Sequence, residues 1–521
     1  MTDVLVYGAT SAGVCAAAAA ARTGQQVVLA EPGRHVGGMT SGGLGYTDVG
    51  DTRVLGGPAA RLRTAIAEHY DVPVGTFAGP EPHVAEQIFT AWLAEAGVDV
   101  RFGRQLAQVT TRERWIEAVT FTRGTPADRS TPDGSTEEVR PAVVIDASYE
   151  GDLMAQAGVS YAVGRESVRT HGEHLAGRQE LLPGRHTMPP WVSPFADDAT
   201  GRREGPLLPQ IKPEPLVPVG EGDEGVMAYG YRVCLTTATD RVPLSPSEGY
   251  DPDHWELYRR VLHHWEQHGG TPPAGQLLGL QPNLPGGMAD GNSLGPISLN
   301  VLDGSAWVYP EAGTQQREQI RRHHLDHTRD FLHFLSHDDA VPEHVRTEMR
   351  RWGLPAGEFT DTEHLPHQLY VREARRMQGE HVLTAGDLLA AQPQPDVVAM
   401  GSYHLDVREV QRCWRWVHEH PDPVAMTFTE GYLSVPVPPY PIPYRSLLPR
   451  REECTNLVVP VCVSASHLAF SSVRMEVQYQ MLGEAAGLAA AQAAGTGGAV
   501  HEVDVAVLQE NLEEAGHVLA V

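Results

Sequence analysis

The first 48 residues constrain this chain most, because they read as one complete strand–helix–strand unit. The apolar run Val4–Tyr7 has the composition of a buried strand, and it breaks at Gly8. A helical pattern follows as far as Gly24, and a second apolar run, Val27–Ala30, ends on Glu31. The N-terminus of the helix in such a unit carries partial positive charge and attracts anions. The order therefore predicts a parallel α/β sheet with a dinucleotide site at its first turn.

The glycine fingerprint of this turn is incomplete. A G-x-G-x-x-G pattern would read Gly8, Thr10 and Gly13, so threonine stands where glycine usually lets the backbone approach a phosphate. The Thr10 hydroxyl offers an alternative donor to that phosphate. Glu31, about 20 residues beyond the turn, is placed to accept hydrogen bonds from the ribose hydroxyls of an adenosine. A βαβ crossover without a ligand is the alternative, and NAD and FAD both fit these residues.

The segment after the second strand separates the two cofactors. It reads EPGRHVGGMTSGGLGYTD over residues 31–48, an irregular Gly/Ser/Thr stretch where an NAD domain would normally continue with a helix. This stretch resembles the FAD-dependent oxidoreductases of the glutathione-reductase-like superfamily, in which such a segment borders the isoalloxazine ring. The closer resemblance is to a bacterial family of FAD-dependent oxidoreductases.

Later segments carry the same resemblance. A buried strand that ends in IDASYEGDL, residues 145–153, is similar to the family's second cofactor-contacting strand. Near the C-terminus, the strand Asn456–Val461, the irregular run Cys462–Ser472 and the long helix Val473–Ala494 resemble the closing part of the cofactor domain. The N-terminus of that helix is expected to point at the pyrimidine edge of the flavin, where its dipole stabilises a reduced flavin.

The resemblance implies FAD as the cofactor and a set of residues in contact with it. For Asp146 a structural turn is an equal alternative. The predicted cofactor-binding residues are Gly8, Ala9, Thr10, Ser11, Ala12, Gly13, Glu31, Pro32, Gly37, Gly38, Met39, Thr40, Gly43, Asp146, Ser472 and Val473. Some flavoproteins attach FAD covalently through a histidine near the flavin-bordering stretch, and His35 is placed for such a bond.

The predicted architecture is an α/β, Rossmann-like FAD-binding domain interrupted by an α+β substrate domain. Residues 1–164 form the first part of the FAD domain, residues 165–439 the inserted domain, and residues 440–521 the closing part. Clean strand–helix periodicity disappears after about Gly164, where prolines, histidines and tryptophans become frequent. Helices are expected at 255–269, 315–336 and 342–352, and a strand at Ala228–Thr237.

Composition excludes several kinds of partner. A formal charge of −26 over 521 residues argues against nucleic acid and anionic membrane surfaces, since both need basic patches. The five cysteines form no C-x-x-C pair, and the histidines form no metal-binding motif, so no metal site is predicted. No run reaches membrane-spanning length, and a cytoplasmic location is expected. Homo-oligomerisation stays open.

Three polar clusters are candidates for the chemistry. In PHQLYVREARRMQG, Arg372 and Arg376 are four residues apart, so on a helix they would share a face and clamp an anion; a solvated, salt-bridged face is the alternative. In MGSYHLDVREVQR, His404 next to Asp406 suits a base with an orienting carboxylate, and a polar strand face is the alternative. Family members often carry Ser-His after this aspartate, where this chain has Val407 and Arg408.

The third cluster lies in SASHLAFSSVRME, residues 464–476, with YPIPYRSL, residues 440–447, before it. His467 falls in the loop expected beside the flavin, and a structural histidine is the alternative. Arg474 falls in the first turn of the closing helix, where it needs an anionic partner such as Glu476 or a substrate.

The implied reaction is oxidation of a small organic substrate by hydride transfer to FAD, which O₂, a quinone or another carrier reoxidises. Oxidation of a CH–OH or CH–NH group needs one base, such as His404 or His467. Desaturation of a carboxylic acid instead needs several arginines, for which Arg372, Arg376, Arg445 and Arg474 are available. A flavin-binding protein without turnover is the third alternative.

Overall fold

The structure is a computed structural model that describes residues 2–45, 47–124, 132–181, 188–282, 284–292, 295–418 and 422–521. The first third of the chain contains β1 (Thr2–Tyr7), α1 (Ser11–Arg22), β2 (Val27–Glu31), α2 (Gly57–His69), α3 (Pro82–Ala96), β3 (Asp99–Phe102), β4 (Arg104–Arg112), β5 (Trp115–Gly124), β6 (Pro132–Val139), β7 (Pro141–Asp146) and α4 (Asp152–Gln156). The middle contains β8 (Tyr161–Ala162), α5 (Val168–His171), β9 (Tyr229–Gly230), β10 (Val233–Leu235), α6 (Glu256–Gln267), α7 (Ala274–Leu277), β11 (Ala289–Gly291), β12 (Asn300–Val301), α8 (Ser305–Val308), α9 (Thr314–His337), α10 (Glu343–Met349), β13 (Arg376–Met377), α11 (Ala385–Ala390), β14 (Val397–Gly401), β15 (Leu405–Val407), β16 (Gln411–Val417), β17 (Val424–Glu430) and β18 (Leu433–Val435). The last part contains β19 (Tyr440–Pro443), β20 (Leu457–Val458), α12 (His467–Val473), α13 (Glu476–Thr496) and α14 (Val505–Glu514).

A five-stranded parallel sheet in the order β20-β7-β1-β2-β3 carries the opening βαβ unit. Its central strand, β1, is apolar and buried from Val4 onward, as a strand covered on both faces must be. Because β20 comes from the far end of the chain, both terminal regions contribute to one sheet. The predicted Rossmann-like α/β fold class is confirmed.

An antiparallel sheet, β4-β5-β6, lies between β3 and β7 in the chain. The chain between Pro82 and Asp146 therefore runs in the order helix, strand, hairpin, strand. The polar composition of 124–138 is typical of a surface turn; residues 125–131 lie outside the described part, but the remainder forms β6 and pairs with β5. From Thr136 onward the side chains alternate between exposed and less exposed, ending with the buried Val139, which suits a half-exposed strand despite its polar composition.

A second apolar core lies in the middle of the chain, and its buried members all fall between residues 188 and 365. Trp255 packs at its centre against Tyr258 and Phe334, with ring centroids 5.2 Å apart in both pairs. The helix predicted at 315–336 is α9, and those predicted at 255–269 and 342–352 are α6 and α10 with shorter bounds. The strand expected at Ala228–Thr237 is two short strands, β9 and β10.

Two segments near the predicted site residues are not continuous helices. Residues 366–379 do not meet the helical condition under which Arg372 and Arg376 would share a face, because their backbone groups bond to neighbouring segments, with Tyr370 N donating to Gly230 O and Met377 N to Cys462 O. The expected helix Val473–Ala494 is interrupted at Met475, whose backbone is extended, so that α12 and α13 are separate helices. Residues 462–472 were expected to be irregular throughout, but α12 begins within them at His467. Ser466 caps this helix by accepting a hydrogen bond from Ala469 N.

Helix α13 packs directly against α1, and glycines permit the close approach. A Cβ on Gly483 would lie 2.2 Å from the carbonyl oxygen of Ala12, and one on Gly487 would lie 2.2 Å from that of Ala16. The alanine-rich sequence of both helices serves the same contact, because small side chains let two backbones come together. Within the described residues, no helix is both long and apolar enough to cross a membrane.

We expect Gly487→Ala to lower the free energy of unfolding by about 1–3 kcal/mol, because an added methyl group overpacks the α1–α13 contact. Gly495→Ala in the same helix is the matched control: its Cβ meets nothing within 4 Å, and it should raise stability by about 1 kcal/mol through helix propensity. Urea unfolding followed by circular dichroism measures both. Equal effects of the two substitutions would contradict the packing argument.

Candidate cofactor and substrate site

The turn between β1 and α1 has the geometry of an anion site. Gly8 adopts a positive φ of 92°, and a Cβ on Gly13 would lie 1.9 Å from Gly8 O, so both positions require glycine. Within the part of the chain that the structure describes, no hydrogen bond engages the backbone N–H of Ser11 or Ala12, the first two residues of the helix. These N–H groups and the helix dipole are available to a phosphate.

Thr10 has a different role from the one its hydroxyl suggested. Its Oγ1 accepts a hydrogen bond from Gly13 N at 3.2 Å and caps α1, while the hydroxyl donates to Ala147 O at 2.7 Å. The proton of that hydroxyl is therefore directed at Ala147, the residue after β7, rather than at the turn's open side. Thr10 stands at the position of the fingerprint's middle glycine, and there it links the turn to the end of the neighbouring strand by a hydrogen bond.

Glu31 ends β2 beside this turn, as the spacing predicted. Its two carboxylate oxygens accept hydrogen bonds from Ala9 N at 2.8 Å and Gly33 N at 2.6 Å. The carboxylate is thereby held in one orientation, with lone pairs remaining for hydroxyl donors.

One cavity brings together many of the predicted cofactor-binding residues. Its lining includes Gly8, Ala9, Thr10, Glu31, Pro32 and Gly38, together with His35 and Tyr149. A neighbouring cavity of about 260 Å³ shares Tyr7, Pro32 and Glu150 with it and is covered by the start of α9. The two cavities continue from the turn past the end of β2, which is where a bound adenosine would lie.

The glycine-rich segment after β2 turns back onto the βαβ unit. Gly37 and Gly38 both have positive φ, and Gly37 N donates to Ala9 O at 2.7 Å. Met39 N donates to the Tyr149 hydroxyl at 2.9 Å. A Cβ on Gly43 would lie 2.6 Å from Arg232 O, so the segment ends in close contact with the middle of the chain.

Glu476, the first residue of α13, joins these segments to the end of the chain. Its carboxylate accepts hydrogen bonds from the hydroxyls of Ser11 at 2.5 Å, Thr40 at 2.9 Å and Tyr149 at 2.7 Å. The side chain is buried, and burial raises its pKa, although the three donors oppose this. One carboxylate thus fixes α1, the glycine-rich segment, the turn after β7 and α13 relative to one another.

Three of the predicted cofactor contacts are used inside the protein: Asp146 and Ser472 form hydrogen bonds to other residues, and Val473 is buried. Asp146 accepts from Ser148 N and Oγ and from Met154 N, and burial raises its pKa to about 6. This is the structural turn that was its alternative. The Ser472 hydroxyl lies 2.6 Å from that of Tyr440, and Val473 is fully buried in the core.

The two arginines of the first predicted cluster do not share a face. Arg376 is buried and paired with Glu373 and Glu166, so its charge is used inside the protein. His467 begins α12 rather than lying in a loop, and its Nδ1 is 2.8 Å from the same Glu373 carboxylate. His467 Nε2 is buried without a hydrogen-bond partner among the described residues.

Arg372 and Arg474 instead meet at the ring of Tyr370. The Arg372 guanidinium carbon is 4.4 Å from the ring centroid, and Arg474 Nη1 donates to the Tyr370 hydroxyl at 3.0 Å. Arg474 pairs with Asp406 at 3.2 Å, not with Glu476, because it lies at the end of α12 and faces β15. A cation at a helix C-terminus complements the dipole, so its position is favourable there.

His404 lies at the edge of this group. Its Nε2 is 3.6 Å from Asp406 Oδ1, and a third of its side chain is exposed. Burial alone would raise the pKa of Asp406, but His404, Arg408 and Arg474 together hold it well below its usual range. The carboxylate is therefore ionised and oriented beside an accessible imidazole.

Sequence reasoning missed Asp48, Arg232 and Tyr403. These residues lie in the same cluster as Arg474 and Asp406. Asp48 hydrogen-bonds Tyr403 and lies near Arg232, and burial raises the pKa of this carboxyl above its usual value. Arg232 pairs with Asp290 in the middle of the chain. Asp48 ends the stretch that resembles the flavin-bordering segment, so its position there was the one available signal.

A sequence profile of the family described as "FAD dependent oxidoreductase" matches residues 3–512. The chain belongs to this family. It is an FAD-dependent oxidoreductase, and FAD is its cofactor. No curated protein sequence matches it.

Several solved structures have distant, local similarity to the chain. They include THI4 from Thermovibrio ammonificans (17% identity, 32% of this chain and 66% of that one, TM-score 0.25), p-nitrophenol 4-monooxygenase PnpA from Pseudomonas putida DLL-E4 (14%, 32% and 45%, 0.21) and L-proline dehydrogenase from P. horikoshii (15%, 32% and 58%, 0.23). The oxidoreductase spans less than two-thirds of each of those chains.

The residues at the first turn fit FAD. The uncommitted N–H groups of Ser11 and Ala12 suit its pyrophosphate, and the oriented Glu31 carboxylate suits its ribose. The Glu476 contacts hold the glycine-rich segment, where the flavin is expected, against α13. Residues from both ends of the chain therefore contribute to this candidate cofactor site.

The oxidoreductase has one group of described residues with metal-ligand types close together, namely Glu81, His83 and Glu358, with ligand atoms within 4.8 Å. His83 Nδ1 is already 2.5 Å from Glu358, and Glu81 accepts from the Tyr70 hydroxyl at 2.9 Å. These internal bonds account for the cluster without an ion.

We expect Glu476→Gln to weaken FAD retention about tenfold, because an amide N–H₂ replaces one oxygen that accepts a hydroxyl donor, at a cost of about 1–3 kcal/mol. Equilibrium dialysis of FAD against the apoprotein measures this. Glu510→Gln, on the exposed face of α14, is the control. Unchanged FAD affinity in Glu476→Gln would show that the carboxylate does not hold the site together.

His35 is unsuited to covalent attachment, since both ring nitrogens face carboxylates. Nδ1 is 3.0 Å from Glu86 and Nε2 is 3.0 Å from Asp361. Burial alone would lower the pKa of His35, but these carboxylates raise it, so the non-nucleophilic imidazolium is favoured. We expect acid precipitation to release all FAD into the supernatant. A yellow pellet, with flavin fluorescence on a denaturing gel, would contradict this.

Proposed function

We propose that this oxidoreductase oxidises a CH–OH or CH–NH group of a small organic substrate, with His404 as the base. Bound FAD supplies the hydride acceptor, and O₂, a quinone or another carrier accepts the electrons afterwards. The protein has to bind and orient the substrate and take the proton of its O–H or N–H group.

The accessible imidazole of His404, beside the ionised Asp406, carries the proposal. A base gains from a neighbouring carboxylate, which orients the ring and stabilises the imidazolium that forms. Asp406 is itself fixed by Arg474, whose Nη2 donates to both the carboxylate and the backbone carbonyl of Asp406. His467, the other candidate base, is buried and paired with Glu373, so it supports the proposal less well.

His404 is also attached to the segment expected beside the flavin. Ser402 Oγ accepts a hydrogen bond from Asp51 N at 2.9 Å, and the Tyr403 hydroxyl hydrogen-bonds the Asp48 side chain. These contacts hold the two residues before His404 against the continuation of the glycine-rich segment. A substrate held against the flavin would therefore lie within reach of the imidazole.

Desaturation of a carboxylic acid is less well supported, because three of its four candidate arginines already have carboxylate partners. Arg376 is bound by Glu373 and Glu166, and Arg445 is bound by Asp396 at 3.0 Å. Arg474 is paired with Asp406. Arg372 alone can bind an anion but leaves no second arginine to shuttle a proton. A flavin protein without turnover does not fit a family of oxidoreductases.

We expect anaerobic bleaching of the flavin by members of a panel of alcohols, hydroxy acids, amines and amino acids. For the best substrate, His404→Asn should lower the rate of bleaching about 10²- to 10⁴-fold, the usual contribution of a general base. Rapid-mixing absorbance at the flavin band measures the rate, and flavin content checks the fold.

His268→Asn, on the exposed end of α6, is the control for a histidine outside the site. Bleaching by saturated acids alone would favour desaturation. An unaltered rate in His404→Asn would exclude this histidine as the base.

A further inference from the structure

Four buried arginines surround the Tyr370 ring, and three of them have carboxylate partners. Arg232 pairs with Asp290, Arg474 with Asp406, and Arg408 lies 3.4 Å from Glu409. Each of these charges is compensated within the protein, as burial requires.

Arg372 is the exception. It is 3% exposed, and its Nη1 donates to two neutral oxygens, the carbonyl of Ala228 and Oδ1 of Asn300. No carboxylate lies within ion-pair distance of it among the described residues. Its other N–H groups donate no hydrogen bond within the same described ranges.

Three other cations lie near Arg372. Burial, together with the nearby charges of Arg408, Arg474 and Arg232, lowers the pKa of Arg372 to about 9. A buried guanidinium next to other cations is costly unless an anion joins it. The site is therefore incomplete in electrostatic terms, and one negative charge would complete it.

The surroundings of Arg372 give access to such an anion. Tyr370, on whose ring Arg372 stacks, is partly exposed, and the partly exposed Tyr403, His404 and Asp48 continue from it as a rim. Arg412 provides a contrast: it is also buried and bonded to a carbonyl, that of Pro296, but it packs on Tyr258 of the second core. Of these two arginines, only Arg372 stacks on Tyr370, whose hydroxyl is bonded to the Arg474 that pairs with Asp406.

We infer that Arg372 binds the carboxylate of the substrate, so that the oxidised compound is a small hydroxy or amino acid. This inference rests on the proposed function. Arg474 touches both Tyr370, on which Arg372 stacks, and Asp406, beside His404, so one side chain separates the anion site from the base. A carboxylate only a few bonds from the oxidised carbon fits that separation.

The reaction balances with FAD as the oxidant. The substrate carbon loses a hydride to FAD, its O–H or N–H loses a proton to His404, and a C=O or C=N bond forms. The carboxylate is unchanged and serves for binding and orientation, since a guanidinium holds a carboxylate in a fixed plane.

The test uses the FAD-loaded enzyme and matched pairs of probes, each a carboxylic acid and its primary amide. Lactate with lactamide and alanine with alaninamide report oxidation by anaerobic bleaching, while benzoate with benzamide reports binding by perturbation of the flavin spectrum and by calorimetry. We expect each acid to bind or react about 10- to 100-fold better than its amide, as a charge-assisted hydrogen-bonded pair provides.

Arg372→Gln should remove this preference by weakening the acids alone, and Arg372→Lys should retain part of it. Added guanidinium ion should partly restore acid binding in Arg372→Gln, which a purely structural defect would not allow. Arg412→Gln, equally buried but remote from the rim, is the control and should keep the acid preference. Flavin content and melting temperature verify that each variant is folded.

The outcomes separate the inference from the proposed function. Equal affinity for acids and amides in the wild type, or an acid preference that survives in Arg372→Gln, would overturn the anion site. Bleaching by neutral alcohols or amines without any preference for acids would leave the proposed oxidation standing and overturn the inference. Binding of benzoate through Arg372 without bleaching by any hydroxy or amino compound would overturn the proposed oxidation and keep the anion site.

Discussion

The buried carboxylate of Glu476 is the interaction on which this structure most depends. A carboxylate without water is stable only if hydrogen bonds replace its hydration, and here three hydroxyls do so. Those hydroxyls come from three parts of the sequence, at positions 11, 40 and 149, and the carboxylate comes from the start of α13. Satisfying one charge therefore requires that the opening and closing regions of the chain meet, and this meeting builds the candidate FAD site.

The same rule explains how the buried arginines divide between structure and function. Arg376 bridges Glu373 and Glu166, and Arg165 bridges Asp223 and Glu430, so these charges fasten the middle of the chain internally. Each of these two arginines has two carboxylate partners for its single charge and therefore requires no ligand. Arg372 lies among cations without an acid of its own, and its desolvation is better compensated when an anion is bound. Of these buried arginines, those whose charge is paired with a carboxylate of the protein are structural, and Arg372, which has no such partner among the described residues, is the candidate for binding a ligand.

Much of the cofactor half could be predicted from sequence because its signals are local. The order of β1, α1 and β2, the place of Glu31 and the return of a strand and helix at the C-terminus all follow from periodicity and from the resemblance. Prediction failed where tertiary contacts override local preference. Residues 366–379 look helical, yet their backbone groups bond to Gly230 and Cys462, and the closing helix breaks at Met475 beside the buried Arg474.

The sequence by itself determined the fold class, the cofactor and the first turn that receives it, since each depends on residues within about 45 positions of one another. Only the tertiary structure decided which charged residues compensate each other. Arg376 meets Glu166 across 210 positions, His467 meets Glu373 across 94, and Arg474 meets Asp406 across 68. Charge pairing acts through space, so a cluster of arginines in sequence gives no indication of which one remains for a ligand.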